Sequence, residues 1–120
     1  MKFTYQLKKG QTHATIQFNG NLVAPDQPAD LIQDIDELIA NGITHLIIDL
    51  SGINQMNSTG LNLLINVLTK TRNAGGDTII AAVPERVEKL IVITKLNTVF
   101  SVAKDMEEAV GMINKEEQWL

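Results

Sequence analysis

The segment that decides the fold runs from Asp49 to Leu61 and reads Asp-Leu-Ser-Gly-Ile-Asn-Gln-Met-Asn-Ser-Thr-Gly-Leu. The apolar run Leu46-Ile47-Ile48 comes before it, and such a run is typical of a strand buried on both faces of a sheet. The segment therefore predicts a strand that ends at about Leu50, then a polar loop, then a helix that begins at Ser58 or Thr59. Apolar residues at helical spacing support that helix: Leu61, Leu64, Ile65 and Leu68.

Two runs of alternating apolar residues stand near the N-terminus, on either side of a turn predicted at Lys8-Lys9-Gly10. They predict a β-hairpin with one buried face. A helix is predicted from Asp26 to Asn41, with Asp26 as its N-cap and Asn41-Gly42 as a left-handed stop. The alternating residues are Phe3, Tyr5 and Leu7, then Ala14, Ile16 and Phe18.

The chain beyond the decisive segment continues the alternation of helices and strands. Gly75-Gly76 ends the second helix, and Thr78 to Val83 is predicted to be another buried strand. Pro84 suits the first position of a third helix, which extends to about Thr94. The four adjacent apolar residues 90–93 would also fit a strand.

The last predicted elements are a short strand at residues 99–102 and a helix that begins at Asp105. Glu108 completes a variant of the capping box at the start of that helix. Strands that alternate with helices predict an α/β fold with right-handed crossovers onto a largely parallel sheet, which the N-terminal hairpin makes mixed. The 120 residues fit a single domain, residues 1–120.

Composition excludes several classes of function. The chain has no cysteine, so a disulfide framework, a thiolate metal site and a cysteine nucleophile are excluded. The net charge is −4 and the basic residues are scattered, which argues against direct binding of nucleic acid. No secretory signal and no apolar run long enough for a membrane span are visible, so we expect the protein in the cytoplasm and not in the membrane.

Side chains that could support catalysis do not converge in the sequence. His13 and His45 each lack a second ligand at metal-binding spacing, so we expect no metal site, no cofactor and no enzyme activity. Asp49 stands at the end of a central strand, as the phospho-accepting aspartate of a response-regulator receiver does. Such receivers also need an acidic pair after the first strand, and the first strands here carry no Asp or Glu. We therefore expect Asp49 to anchor the backbone.

The start of the second helix carries two informative residues. Ser58 is predicted as its N-cap, where the hydroxyl accepts a hydrogen bond from the first turn, and local physics alone favours this purely structural role. Gly60 lies inside the first turn, where glycine costs helix stability but lets another surface approach closely. A large side chain at Gly60 is therefore expected to weaken partner binding and to leave the fold intact.

The decisive segment resembles the signature of the STAS domain, and specifically the anti-sigma factor antagonist family. That family has Asp-Leu-Ser, a short spacer, a hydrophobic residue, then Asp-Ser-Ser/Thr-Gly-Leu. This chain matches with residues 49–51, Ile53, Met56 and residues 58–61. Further matches are Gly20-Asn21-Leu22, where the family has a turn after the second strand, residues 81–84, Leu96, Phe100 and residues 107–109.

One departure from the family pattern lies next to the serine. Asn57 stands where the family has aspartate, which keeps the short polar shape but removes the negative charge. A kinase that reads that charge would act less well on this chain. The resemblance also implies about five strands with helices chiefly on one side of the sheet.

The resemblance implies a phosphorylation-controlled protein–protein switch that binds an anti-sigma factor of the serine-protein kinase type and so frees a sigma factor. Ser58 aligns with the phospho-accepting serine, and Thr59 is the rival acceptor. An alternative is a receptor for a small molecule or anion at the same helix N-terminus. The predicted partner surface comprises Asn21, Leu22, Val23, Gly52, Ile53, Asn54, Gln55, Met56, Asn57, Ser58, Thr59, Gly60 and Leu61.

Overall fold

A computed structural model describes residues 2–10, 12–23 and 29–118 of the chain. Five strands and four α-helices follow in the order β1 (Thr4–Lys9), β2 (Ala14–Leu22), α1 (Ala29–Ala40), β3 (His45–Met56), α2 (Ser58–Asn73), β4 (Asp77–Ala81), α3 (Glu85–Ile93), a 3-10 turn (Leu96–Thr98), β5 (Ser101–Ala103) and α4 (Met106–Gln118).

The five strands form one mixed sheet in the order β1-β2-β3-β4-β5. β1 runs antiparallel to β2, and every other neighbouring pair is parallel. The predicted mixed, mostly parallel sheet of five strands is therefore confirmed. A response-regulator receiver of the doubly wound type has its strands in the order 2-1-3-4-5, so the receiver alternative through Asp49 is wrong.

Helices α1, α2 and α3 cover one face of the sheet. Each of them connects two adjacent parallel strands, and consecutive right-handed crossovers that step in one direction place their helices on the same face. α4 packs on the opposite face, where Ala109 and Ile113 meet Ile47 and Ile79. The prediction of helices chiefly on one side is confirmed.

The first half of strand β3 is buried on both faces, as its apolar run predicts. Leu46, Ile48 and Leu50 belong to the larger core beneath the first three helices, and Ile47 belongs to the smaller core under α4. Successive side chains of a strand point to opposite faces, so this split follows from the period of two. The central strand therefore holds both helix layers on one sheet.

The N-terminal hairpin has the predicted pairing and most of the predicted burial, since four of the six alternating apolar residues are buried and Tyr5 is partly buried. The exception is Leu7, which is 36% exposed and lies on β1, an edge strand of the sheet. Phe3, just before the strand, is buried and packs edge-on against Phe18, with ring centroids 5.1 Å apart. Residues 8 and 9, predicted as a turn, belong to β1 and pair with Thr15 and Ala14.

The predicted end of α1 is confirmed. Gly42 has a φ of +88°, and the Ile43 N–H donates to the Leu38 carbonyl at 2.9 Å. Glycine tolerates this left-handed conformation without steric cost. The predicted N-cap, Asp26, lies outside the described residues.

The later boundaries differ from their predictions by a few residues. Ala82 has a φ of +54°, so β4 ends at Ala81 rather than at residue 83. Pro84 is the N-cap of α3 rather than its first residue, and residues 90–93 are helical. The capping box of α4 is confirmed, since the Glu108 N–H donates to Asp105 Oδ1 at 2.9 Å.

Two general features complete the description. No helix of the described residues combines the length and apolar character that a membrane crossing requires. Within the same residues, no three His, Asp or Glu side chains gather closely enough to hold a metal ion.

Candidate functional site

Strand β3 continues through the segment that was predicted to be a polar loop. It keeps pairing with β2 as far as Met56, through two irregularities in register. Gly52 permits this, because a Cβ there would lie 2.8 Å from the Phe18 carbonyl oxygen. The turn predicted at residues 20–22 is also part of a strand. The prediction of a loop after Leu50 was wrong, because paired strands can carry polar residues where one face meets solvent.

The N-cap of α2 is Asn57, not Ser58 as predicted. Asn57 has an extended backbone conformation, and its Oδ1 accepts hydrogen bonds from the N–H groups of Thr59 at 3.0 Å and Gly60 at 3.2 Å. Asparagine and serine are about equally good N-caps, so the sequence alone does not determine which of the two adjacent residues caps α2. Ser58 therefore occupies the first helical position, and its hydroxyl takes no part in the cap.

Asn57 also ties α2 to the end of β2. Its Nδ2 donates a hydrogen bond to the Val23 carbonyl oxygen at 3.3 Å. An aspartate could accept the capping bonds but could not donate this one, since an ionised carboxylate has no proton. Asparagine in place of the family's aspartate therefore adds a hydrogen bond between Asn57 and Val23, two residues of the predicted partner surface.

Gly60 is buried, and the surface that approaches it is the protein's own. A Cβ at this position would lie 2.6 Å from the Leu22 carbonyl oxygen and 2.6 Å from Met56 Cγ. Large side chains would therefore disturb the packing of α2 on β2 and β3. The expectation that such a change leaves the fold intact was wrong.

The structure brings together all three segments of the predicted surface. Asn21 pairs with Gln55 and Leu22 pairs with Met56, so the end of β2 lies beside the end of β3 and the start of α2. The predicted residues divide by burial. Exposed are Val23, Asn54, Gln55, Asn57 and Ser58; partly exposed are Asn21, Gly52, Met56 and Thr59; buried are Leu22, Ile53, Gly60 and Leu61.

Burial limits what each of these residues can do. The four buried ones shape the edge from within and cannot present a side chain to a partner. Asn21 is intermediate, and its Oδ1 is buried with no hydrogen-bond partner among the described residues. Ser58 is exposed, and within residues 2–10, 12–23 and 29–118 its hydroxyl has no hydrogen-bond partner. The hydroxyl of Ser58 is therefore more accessible than that of Thr59, which is only partly exposed.

A groove of about 310 Å³ lies beside this edge. Arg86 and Val87, from the first turn of α3, form one wall, and neither was among the site residues predicted from the sequence. The predicted order of elements could have located them. The start of α3 follows the end of β4, and the carboxyl ends of parallel strands meet at one edge of a sheet. The other lining residues are Val23, Asn54, Gln55, Met56 and Asn57.

Asp49 anchors the backbone, as predicted. Its Oδ1 accepts a hydrogen bond from the Ser51 N–H at 2.9 Å. It lines a different groove, on the opposite face of the sheet, together with Lys8 and Met106. Asp49 therefore does not belong to the edge around Ser58.

The two histidines contact neighbouring threonines. His13 Nδ1 lies 3.4 Å from Thr12 Oγ1, and His45 Nδ1 lies 3.4 Å from Thr44 Oγ1. These contacts join adjacent residues and build no catalytic arrangement.

Comparison with known proteins identifies the family. The profile of the STAS domain matches residues 6–109 of the chain. The chain belongs to the STAS domain family. In this STAS domain the matched region begins within β1 and spans β2 to β5 and the first three helices, so it contains the whole edge around Ser58.

Relatives of this STAS domain include a candidate anti-sigma factor antagonist of Thermotoga neapolitana, 27% identical over 75 residues. That match spans 62% of the chain and 66%, just under two thirds, of the relative. The crystal structure of a candidate anti-sigma factor antagonist of Thermotoga maritima has a TM-score of 0.79 at 20% identity, over 92% of the chain and 94% of that protein. The phosphorylated Bacillus cell fate determinant SpoIIAA gives a TM-score of 0.72 at 20% identity, over 92% and 99%. These structural similarities show a common fold.

Proposed function

We propose that this STAS domain is an anti-sigma factor antagonist that acts in the cytoplasm by binding and not by catalysis. Its partner is an anti-sigma factor of the serine-protein kinase type, and binding that partner frees a sigma factor for transcription. The binding surface is the exposed part of the edge formed by the ends of β2 and β3 and the start of α2. Phosphorylation of Ser58 abolishes binding.

The observation that carries the proposal is the position of the Ser58 hydroxyl. It is exposed at the first position of α2, and Asn57 performs the capping that would otherwise occupy it. A kinase can therefore modify Ser58 without breaking a hydrogen bond of the fold. The names of the Thermotoga relatives and the phosphorylated state of the Bacillus structure support the same proposal.

The off-switch follows from the charge of the phosphate. A phosphoserine carries about −1.5 to −2 charges at pH 7. A partner surface that fits a small neutral hydroxyl would have to bury this charge, and burial of an unpaired charge is costly enough to abolish binding. The first turn of α2 contains no acidic residue, so the phosphate is tolerated by the free protein.

Phosphorylation and binding can be tested with purified proteins. The serine-kinase anti-sigma factors encoded in the same genome are incubated singly with the chain and ATP, and the products are mapped by mass spectrometry. We expect one phosphate, on Ser58, in wild type and in Thr59→Ala, and none in Ser58→Ala. Unphosphorylated protein should form a complex with the same kinase in gel filtration, and Ser58→Glu should not.

Three results would contradict the proposal. Full phosphorylation of Ser58→Ala would move the site away from Ser58, and loss of phosphate in Thr59→Ala alone would move it to the rival residue. Tight binding of stoichiometrically phosphorylated protein would exclude the off-switch, even where the site is correct. Ser58→Ala, which should still bind, serves as the control that the side chain itself is not needed for the complex.

The alternative of an anion receptor has one observation in its favour, the groove beside Asn57 that Arg86 lines. Its volume of about 310 Å³ would suffice for a small ligand. Titration of the isolated domain with inorganic phosphate, followed by amide chemical shifts, tests it. Saturable shifts around Asn57 and Arg86, together with no binding to any of the kinases, would favour the receptor.

A further inference from the structure

Arg86 contributes no hydrogen bond or ion pair to the part of the fold that the structure describes. The chain has two arginines, and the other, Arg72, donates to Asp77 Oδ1 at 3.2 Å and to the Val99 carbonyl oxygen at 2.8 Å. Among the described residues Arg86 has no ion pair and no hydrogen bond, and it is exposed on the wall of the groove beside Asn57. An unpaired guanidinium keeps all of its donors for another molecule.

The groove around Arg86 is suited to negative charge although the protein is acidic. Among the described residues its lining contains one cation, three side-chain amides and no carboxylate, whereas the whole chain has a net charge of −4. The carboxylates next to Arg86 in sequence face elsewhere, since Glu85 and Glu88 line a separate groove with Lys89. Glu85 also pairs with Lys89 at 3.8 Å. The local charge of this groove is therefore opposite to that of the protein.

The groove is continuous with the surface of the proposed function, because Val23, Asn57 and residues 54–56 belong to both. We infer that the groove binds an acidic segment of the anti-sigma factor and that Arg86 pairs with one of its carboxylates. This inference rests on the proposed function. It extends the binding surface from the start of α2 to the first turn of α3, and it assigns the partner a negative charge at that point.

Charge reversal at Arg86 tests the inference. The affinity of the anti-sigma kinase is measured calorimetrically for wild type, Arg86→Ala, Arg86→Glu and the control Lys95→Glu. Lys95 is exposed just beyond the other end of α3, so the control makes the same change of charge away from the groove. We expect Kd to rise about 10-fold for Arg86→Ala and about 100-fold for Arg86→Glu, and less than about 3-fold for the control.

The partner's charge is tested by reversing it. Single Asp or Glu residues on the kinase surface are changed to lysine and titrated against Arg86→Glu. One of these changes should restore affinity at least about 10-fold, as expected for a direct charge pair. Far-UV circular dichroism and thermal melts confirm that each variant is folded, and Arg86→Gln provides a neutral substitute of similar length.

The outcomes separate the two proposals. Absence of wild-type binding to every kinase overturns the proposed function and this inference with it. Wild-type binding that Arg86→Glu and Lys95→Glu weaken equally overturns the inference alone. Loss of binding in Arg86→Glu that no kinase reversal restores overturns the acidic partner segment.

Discussion

At the scale of single residues, Asn57 joins the start of α2 to the end of β2 with one side chain. Its oxygen caps α2 and its nitrogen holds the end of β2, so both donors and acceptors of the amide are used. Asn57→Ala should lower the free energy of unfolding by about 1–2 kcal/mol, because the cap is lost. Asn57→Asp keeps the cap and adds a favourable charge at the helix N-terminus, so it should cost less than about 1 kcal/mol.

Urea denaturation followed by circular dichroism measures both variants. Asn66→Ala provides the control, since Asn66 is exposed in the interior of the same helix and alanine there should be neutral or slightly stabilising. If Asn57→Ala were as stable as this control, the two hydrogen bonds seen at the start of α2 would not contribute to stability.

Gly60 gives a second prediction at this scale. Gly60→Ala places a methyl group 2.6 Å from the Leu22 carbonyl oxygen, and we expect a loss of about 1–3 kcal/mol, even though alanine is the better helix former. Gly111→Ala in α4 meets nothing within 4 Å and should gain up to about 1 kcal/mol. Thermal melts of the two variants should therefore shift in opposite directions, and equal shifts would show that β2 does not pack tightly on α2.

At the scale of secondary-structure elements, Tyr5 fastens the edge strand β1 to α1. Its hydroxyl donates to Asp34 Oδ2 at 2.7 Å. Burial, the hydrogen bond to Asp34, and the negative charges of Asp34 and Asp30 raise the pKa of Tyr5 from 10.0 to about 12. A raised folded-state pKa means that the contribution to stability is complete below pH 10 and disappears as the pH rises through about 12.

Tyr5 is the single tyrosine of the chain, so its ionisation can be followed by phenolate absorbance. The midpoint should lie near pH 12 in wild type and should move towards 10 in Asp34→Asn, which removes the charge but leaves the burial. Tyr5→Phe should lower stability by about 1 kcal/mol at pH 8. A wild-type midpoint at pH 10 would contradict the hydrogen bond between β1 and α1.

The elements show what apolar patterning can and cannot predict. The positions of α2, α3 and the core of β3 were predictable because burial imposes the periodicity on which the prediction rests. The outer half of β3 was not, since residues 54 and 55 are polar and exposed and carry no hydrophobic signal. The prediction for Leu7 was wrong in the opposite way. Its place in the alternation was correct, but Leu7 is 36% exposed on the edge strand β1, and local sequence does not specify which strand lies at the edge of the sheet.

At the scale of the whole molecule, the site is an edge assembled from four elements. Its β2, β3 and α2 residues were predicted through the family resemblance, and the structure shows that they lie together. Arg86 was missed because it is distant in sequence and follows no motif, and only the parallel order of the strands brings α3 to this edge. The strand order therefore brings to the groove the one charged side chain that lines it among the described residues.

The N-terminus of α2 should allow the whole molecule to tolerate phosphorylation of Ser58, the modification that is proposed to abolish binding. The N-terminus of α2 has no acidic residue in its first turn, so its partial positive charge is not neutralised by any side chain there. A phosphate on Ser58 should place negative charge beside this positive helix end. The interaction with the helix dipole should stabilise the fold by about 0.3–1 kcal/mol and raise the melting temperature by up to about 5 °C. Asn73→Asp adds charge at the opposite end of α2, where the dipole is negative, and should lower it. Calorimetry on phosphorylated and unphosphorylated protein measures this shift. A clear drop in melting temperature on phosphorylation would mean that the switch acts by disturbing the fold as well as the interface.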